Sequence, residues 1–433
     1  MVTESRETPH GRYTRDAAKH AFFAAIVERC ADEVAAAVGE RHAAAVFLIG
    51  APSRGEATVV ETSSGLHSLS DVDLVCIVSP GADLAASREA ARQAVARLNP
   101  EIAPLCTGVD VSVRPCERAG RPTPLIAHYE LARSPMLVRG DAAARDALGQ
   151  VDIHDIPPSD ALRFVHNRCI ERLLAGGAGV GNAAACGEIV TLRAQYTTAK
   201  LMLDLVTAFL FVRREVPLGY EDRVRLFVTL CRTREQFRAL AQEVAPFLDE
   251  LPHWARFKTT GDWRALREAL PEDALAGLRA PRFAFALWRR VLGETLGTDL
   301  FGATLPEAIA RLAEAEGPAR SLARSWKALR SADARSLFPA TAVLRGALRG
   351  SPVPRAYITG LLLFFADAGG APREWTRTAL ARYAPFALPA DAPALTDDAM
   401  RQALLPPLAR FHREVLLGRR PEDGGTGTGA ATD

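Results

Sequence analysis

Residues 47–78 read FLIGAPSRGEATVVETSSGLHSLSDVDLVCIV. An apolar strand closes at Gly50, a turn with a second glycine at Gly55 follows, and the next apolar strand opens with two carboxylates, Asp71 and Asp73. Residues i and i+2 of a strand project from one face, so these acids stand together, ~7 Å apart along the strand. Two adjacent carboxylates repel each other unless a cation lies between them. A hard divalent ion such as Mg²⁺, with Mn²⁺ as a substitute, meets that need, because it takes carboxylate and phosphate oxygens together.

Further on, GVDVSVRP (108–115) alternates cleanly, with Val109, Val111 and Val113 on one face and Asp110 and Ser112 on the other. If this strand pairs with the one beginning at Asp71, Asp110 brings a third carboxylate to the same spot. Three carboxylates on neighbouring strands are what a two-metal phosphoryl-transfer site requires. An isolated D-x-D is more often turn chemistry at a strand start; the added Asp110 and the glycine turn favour the site. In that turn Gly50 and Gly55 permit positive φ and close backbone approach. Its exposed amides suit phosphate oxygens, and Arg54 is expected to add a bidentate phosphate contact.

Outward from this core, an i, i+4 stripe of Phe22, Ile26, Cys30, Val34 and Val38 predicts a helix from Asp16 closed by Gly39. AAAVFLIG (43–50) is a buried strand, 85–97 a helix, and SPMLVRGDAAARDAL (134–148) a short strand plus a helix capped by Asp141. Past DIHDIPPSD the pattern becomes wholly helical over 159–417, with roughly ten helices expected at ~11–15 residues each. Residues 1–14 are expected to be loose.

The 433 residues exceed one ordinary core. The formal net charge of +2 gives no general pull toward nucleic acid or anionic membrane. Of 53 basic residues only four are Lys (Lys19, Lys200, Lys258, Lys327), so the Arg count reflects composition more than chemistry. Seven scattered Cys with no C-x-x-C pair argue against zinc and for reduced thiols in a cytoplasm. The N-terminus lacks a signal-peptide core, and the longest apolar runs are too short to span a bilayer.

The segments IGAPSRGEATV, LSDVDLVCIV and GVDVSV together resemble the nucleotidyltransferase superfamily, the fold of DNA polymerase β. That motif is a glycine turn, Asp-x-Asp, then a third Asp on a later strand; Gly50, Asp71, Asp73 and Asp110 match it, and Arg54–Glu56 resembles an extension found in bacterial members. The resemblance covers roughly 44–115 and implies a nucleoside triphosphate co-substrate bound with Mg²⁺ at Gly50, Ala51, Ser53, Arg54 and Ser70. It further implies metal ligation and catalysis by Asp71, Asp73 and Asp110, with a C-terminal helical bundle closing the cleft. Ala51 departs from the motif's usual Ser or second Gly; it keeps the backbone N–H but loses the hydroxyl, and Ser53 or Ser70 can substitute.

In the helical part, Arg163, His166 and Asn167 share a face, as do Arg193, Tyr196 (or Thr197) and Lys200, with Asp204 one turn on. A helix pair of Lys200 with Asp204 competes with a functional reading in which Lys200 reaches the triphosphate and Tyr196 stacks on the base. His67 lies in a loop four residues before Asp71.

The expectation is therefore an α+β chain of two domains: a small mixed-sheet, nucleotidyltransferase-like domain over 1–155 and an all-helical domain over 156–418, followed by a disordered tail, 419–433. Its expected activity is Mg²⁺-dependent transfer of a nucleoside monophosphate to an acceptor hydroxyl on a small molecule, nucleotide or protein side chain. Near-neutral charge argues against a long nucleic-acid track. Two alternatives belong to other classes: a nucleotide sensor on a core that has lost catalysis, and a helical partner-binding surface.

Overall fold

A computed structural model describes residues 13–117, 122–177, 187–315, 351–366, 372–386 and 396–416, with isolated positions between 317 and 343. The expected disordered tail lies outside the described residues.

Helix α1 (Ala17–Val38) starts where Asp16 accepts the Lys19 N–H and ends at Gly39 with φ +95°. Its apolar stripe packs on one face of a four-stranded sheet ordered β5-β4-β1-β6. The strands are β1 (Ala43–Leu48), β4 (Val72–Val78), β5 (Val109–Pro115) and β6 (Met136–Gly140). Pairing is antiparallel for β1 with β4 and β6, and parallel for β4 with β5. Helix α2 (Leu84–Ile102), capped by Asp83, makes the crossover between the parallel pair, as such a pair requires.

The period-2 pattern fixes which way each strand faces. Val72, Leu74, Cys76 and Val78 of β4, with Val109 and Val113 of β5, join the core under α1 and α2. Asp73, Val75 and Ile77 therefore face the opposite way, toward a second layer built from Phe47, Leu131 and Leu148. That layer includes α3 (Ile126–Arg133), a short helix that the sequence pattern did not announce.

Strand β5 is a sheet edge. The bonds Val72 N–H to Gly108 O and Cys116 N–H to Val78 O turn its even-numbered residues toward β4, so Val109, Val111 and Val113 point their backbone groups outward. The Asn99 side chain answers Val109 from α2, accepting its N–H at 2.9 Å and donating to its C=O at 3.2 Å. Val111 N–H goes to Asp110 Oδ1 at 2.8 Å.

A hairpin of β2 (Val59–Thr62) and β3 (Gly65–Ser68) stands off the sheet. The sequence pattern reads as a loop here, and the structure has two four-residue strands instead. Val60 and Leu69, at the base of the hairpin, are buried against the helical domain beside Leu192, Tyr196, Trp254 and Phe257. Tyr13 and Thr14, expected to be loose, are also buried; Tyr13 C=O accepts the Ala57 N–H at 3.0 Å.

The rest is helical among the described residues, in keeping with the α+β expectation. Helix α4 (Pro158–Gly177) precedes α5 (Glu188–Val212), which is buried on all sides from Leu201 to Phe211 and forms the hub. Around it lie α6 (Tyr220–Thr233), α7 (Arg238–Leu248), α8 (Leu251–Thr260), α9 (Trp263–Ala269), α10 (Glu272–Leu275), α11 (Ala280–Leu296) and α12 (Leu305–Glu314). Further on come α13 (Pro352–Phe365), α14 (Arg373–Tyr383) and α15 (Asp397–Phe411). Among the described residues there are thus twelve helices from α4 to α15, where roughly ten were expected over 159–417. The six described thiols are free, and no described helix is long and apolar enough to cross a membrane.

Candidate functional site

The parallel register sets Asp73 directly beside Asp110. Adjacent strands lie ~4.8 Å apart, and Asp71 precedes Asp73 by two residues, so the three acids share one edge of the sheet. All three keep access to solvent. Gly50, at φ +80°, lies against the pair: a Cβ placed there would sit 3.6 Å from Asp73 Oδ2. The positive φ is what brings this turn back over the β4 strand. The Ile49 N–H donates to Asp73 C=O at 3.0 Å and fixes the approach. The donor set is all oxygen and suits a hard cation. Among the described residues, however, no three His, Cys, Asp or Glu side chains are gathered as a ready metal site. Neighbourhood is established at the level of the strands, and Asp110 also spends Oδ1 on Val111.

The turn itself is tighter than expected. Residues Pro52–Arg54 form one 3₁₀ turn, and the amides of Arg54, Gly55 and Glu56 go to Ala51 O, Pro52 O and Ala51 O. The amides of Gly50 and Ala51 make no hydrogen bond among the described residues. Ser53 is buried, its hydroxyl donating to Gly50 O at 2.8 Å. The Ala51 methyl packs on the helical core.

Arg54 requires a correction. Its guanidinium does not face a phosphate site: its side chain is only 4% exposed and lies between Glu56 (3.1 Å) and Glu130 (3.1 Å), over the Tyr220 ring. Glu130 in turn holds Arg223 at 2.8 Å. Burial would raise the Glu130 pKa, but Arg223 and Arg54 overcome that and hold the carboxyl below its usual range. The other oxygen of Glu56 accepts the Tyr220 N–H at 2.7 Å, so this carboxylate caps the start of α6, which has no side-chain cap of its own. The R-G-E stretch thus ties the sheet-bearing part of the chain to α6.

Ser70 and Tyr196 are likewise interior. Ser70 Oγ accepts the Thr58 N–H at 2.9 Å. The Tyr196 ring is 9% exposed, packed beside Val60, Leu69 and Trp254, and its hydroxyl meets Ser70. It has no open face for a base, and burial, then Asp71, pushes its pKa up. The group that occupies that face is Lys258, which sequence reasoning passed over. Its Nζ lies 5.2 Å from the Tyr196 centroid and 5.6 Å from that of Tyr220, and bonds to Thr58 Oγ1 at 3.1 Å and Glu56 O at 3.3 Å. Burial lowers its pKa to about 8, although Glu56 opposes the shift. A Lys among only four in the chain, inside the apolar W-A-R-F-K run, was the available signal.

Of the two readings of Lys200, the helix pair with Asp204 does not form. Asp204 is buried with Arg168 at 2.6 Å and the Tyr220 hydroxyl at 2.9 Å. Lys200 is half-buried, with no hydrogen bond or ion pair among the described residues, and its charge is felt by Glu171 and Lys258. His67 is buried, bonded to Pro104 O and Arg193, and ties the hairpin down. His166 belongs to the helical core: it accepts the Trp288 indole N–H at 3.0 Å, and burial lowers its pKa to about 3. Asn167 accepts the Tyr357 hydroxyl, and Arg163 pairs with Asp160.

Comparison of the chain with protein-family models, curated proteins and solved structures finds no match.

Proposed function

We propose that the chain is a Mg²⁺-dependent nucleotidyltransferase, which transfers a nucleoside monophosphate from a nucleoside triphosphate to an acceptor hydroxyl and releases pyrophosphate. The observation that carries this reading is the side-by-side register of Asp73 and Asp110 with the Gly50 turn against Asp73 Oδ2. Asp71 and Asp73 would hold the metal with Asp110. The bound ion supplies charge neutralisation at the phosphates and a lower pKa for the attacking hydroxyl. The chain's own groups do the rest. The amides of Gly50 and Ala51 receive phosphate oxygens, Lys200 offers an ammonium that has no hydrogen bond or ion pair among the described residues, and Asp110 accepts the proton of the acceptor hydroxyl.

The test is pyrophosphate release from each of the four ribonucleoside triphosphates with Mg²⁺, compared between the native chain and Asp73→Asn. Release lost in the variant supports the reading; equal release in both removes it. A nucleotide sensor is the second reading, favoured by the half-buried Ala51 methyl packed against the helical core where the motif carries a hydroxyl. A nucleotide that raises the melting temperature, with no pyrophosphate released under any acceptor, decides for the sensor.

A further inference from the structure

The oxygen-lined edge continues into a groove between α2 and the outer side of β5, a cavity of about 410 Å³. Arg88, Arg92, Val95 and Asn99 line it from one stripe of α2, and the edge of β5 from Val109 to Arg114 lines its other side. The valines of β5 add an apolar wall. A concave, partly apolar space with few placed polar groups is the form a small-molecule site takes.

Its charges are arranged by end. Asp110 belongs both to this groove and to the aspartate edge. At the far end stands Arg114, half-buried and without a hydrogen bond or ion pair among the described residues. Burial, with no carboxylate to offset it, lowers the Arg114 pKa. Arg88 donates to Val113 O at 3.5 Å, its one hydrogen bond among the described residues. Arg92 is already met by Glu89, at 2.9 and 2.7 Å. Two guanidiniums, Arg88 and Arg114, therefore remain for a ligand, and planar guanidinium pairs suit a phosphate dianion. Asp110 and Arg114 lie four residues apart, ~13 Å between Cα atoms at ~3.3 Å per residue.

We propose that this groove binds the acceptor, a phosphorylated small molecule whose phosphate is held by Arg88 and Arg114 and whose free hydroxyl lies at Asp110. The proposal rests on the transferase reading above. In the reaction the hydroxyl oxygen bonds to the α-phosphorus, the bond from α-phosphorus to the bridging oxygen breaks, pyrophosphate leaves with the electron pair, and the hydroxyl proton passes to Asp110.

The experiment has two arms, both on the full chain. In the first, binding of glucose 6-phosphate, glycerol 3-phosphate, inorganic phosphate and glucose is measured calorimetrically for the native protein, Arg114→Gln and Arg88→Gln. The expected result is binding of the phosphorylated compounds but not of glucose, with at least a tenfold weakening in each variant and unchanged thermal protection by ATP. Binding of none, undiminished binding in the variants, or an equal loss of ATP protection overturns the proposal; the last assigns the groove to the nucleotide. Arg88 is exposed, so its variant keeps the test valid should Arg114→Gln fold poorly. In the second arm, label transfer from α-labelled ATP to the bound compound is followed with Mg²⁺. Binding without transfer retains the groove and counts against the transferase reading. Transfer to uncharged acceptors, with an unchanged KM in Arg114→Gln, retains the transferase and removes the groove.

Discussion

Two groups of acids lie close together in this chain and are treated in opposite ways. Asp71, Asp73 and Asp110 stand at a sheet edge and keep access to solvent. Glu56, Glu130 and Asp204 are sealed in the joint between the domains, each within 3.1 Å of an arginine: Arg54 for the first two and Arg168 for Asp204. Carboxylates enclosed with arginines have spent their charge on structure, whereas those facing water can be reached by a solute.

The largest effect expected from this contrast falls on the sealed group. Glu130→Gln leaves Arg54 and Arg223 short of a buried counter-charge, and a loss of about 3–5 kcal/mol in unfolding free energy is expected by chemical denaturation. A loss under about 1 kcal/mol would erase the distinction. Next comes Asp73→Asn, expected to cut pyrophosphate release by roughly 10²–10³-fold while the denaturation midpoint stays close to native, since the group removed has access to water. A variant that unfolds would move Asp73 into the sealed class.

Lys258 sharpens the contrast through pH. Its folded pKa of about 8 lies below the ordinary 10.5, so between these values the unfolded chain holds a proton that the folded chain has released. Stability from this group therefore rises with pH across that window, by up to ~1.4 kcal/mol per unit, and its charged form is a cost below pH 8. Lys258→Met should lack the rise; a pH series of denaturation midpoints for both proteins, read as a difference, checks it. The smallest effect belongs to Arg29, paired with Glu101 between α1 and α2 but about half exposed. Arg29→Ala should cost under about 1 kcal/mol by the same measurement.

Much of the sheet was legible because its signals are local. The stripe from Phe22 to Val38 and the alternation around Asp110 each need only a period, and they predicted α1 and β5 with the right faces. The side-by-side placement of Asp73 and Asp110 followed from that alternation once the strands were taken to pair. The joint was illegible because its partners are far apart in the chain. Nothing near Arg54 announces Glu130, nothing near Glu56 announces the bare start of α6 at Tyr220, and Lys258 meets Thr58 across 200 residues. An R-G-E read in isolation looks like a phosphate grip; only the fold supplies the carboxylates that occupy it. The β2–β3 hairpin escaped for a different reason. Its strands are four residues each, with a two-residue turn at Ser63 and Ser64, too short for alternation to register.

The Asn99 amide across from Val109 has a consequence for how copies of this chain meet one another. An open strand edge invites an extended segment of another molecule to dock and extend the sheet, the first step toward fibrous assembly. Here a side chain imitates the missing neighbour, and the adjoining aspartate takes the next amide along. At high concentration a stray strand finds this border closed, and the molecule leaves the same margin open to small polar solutes.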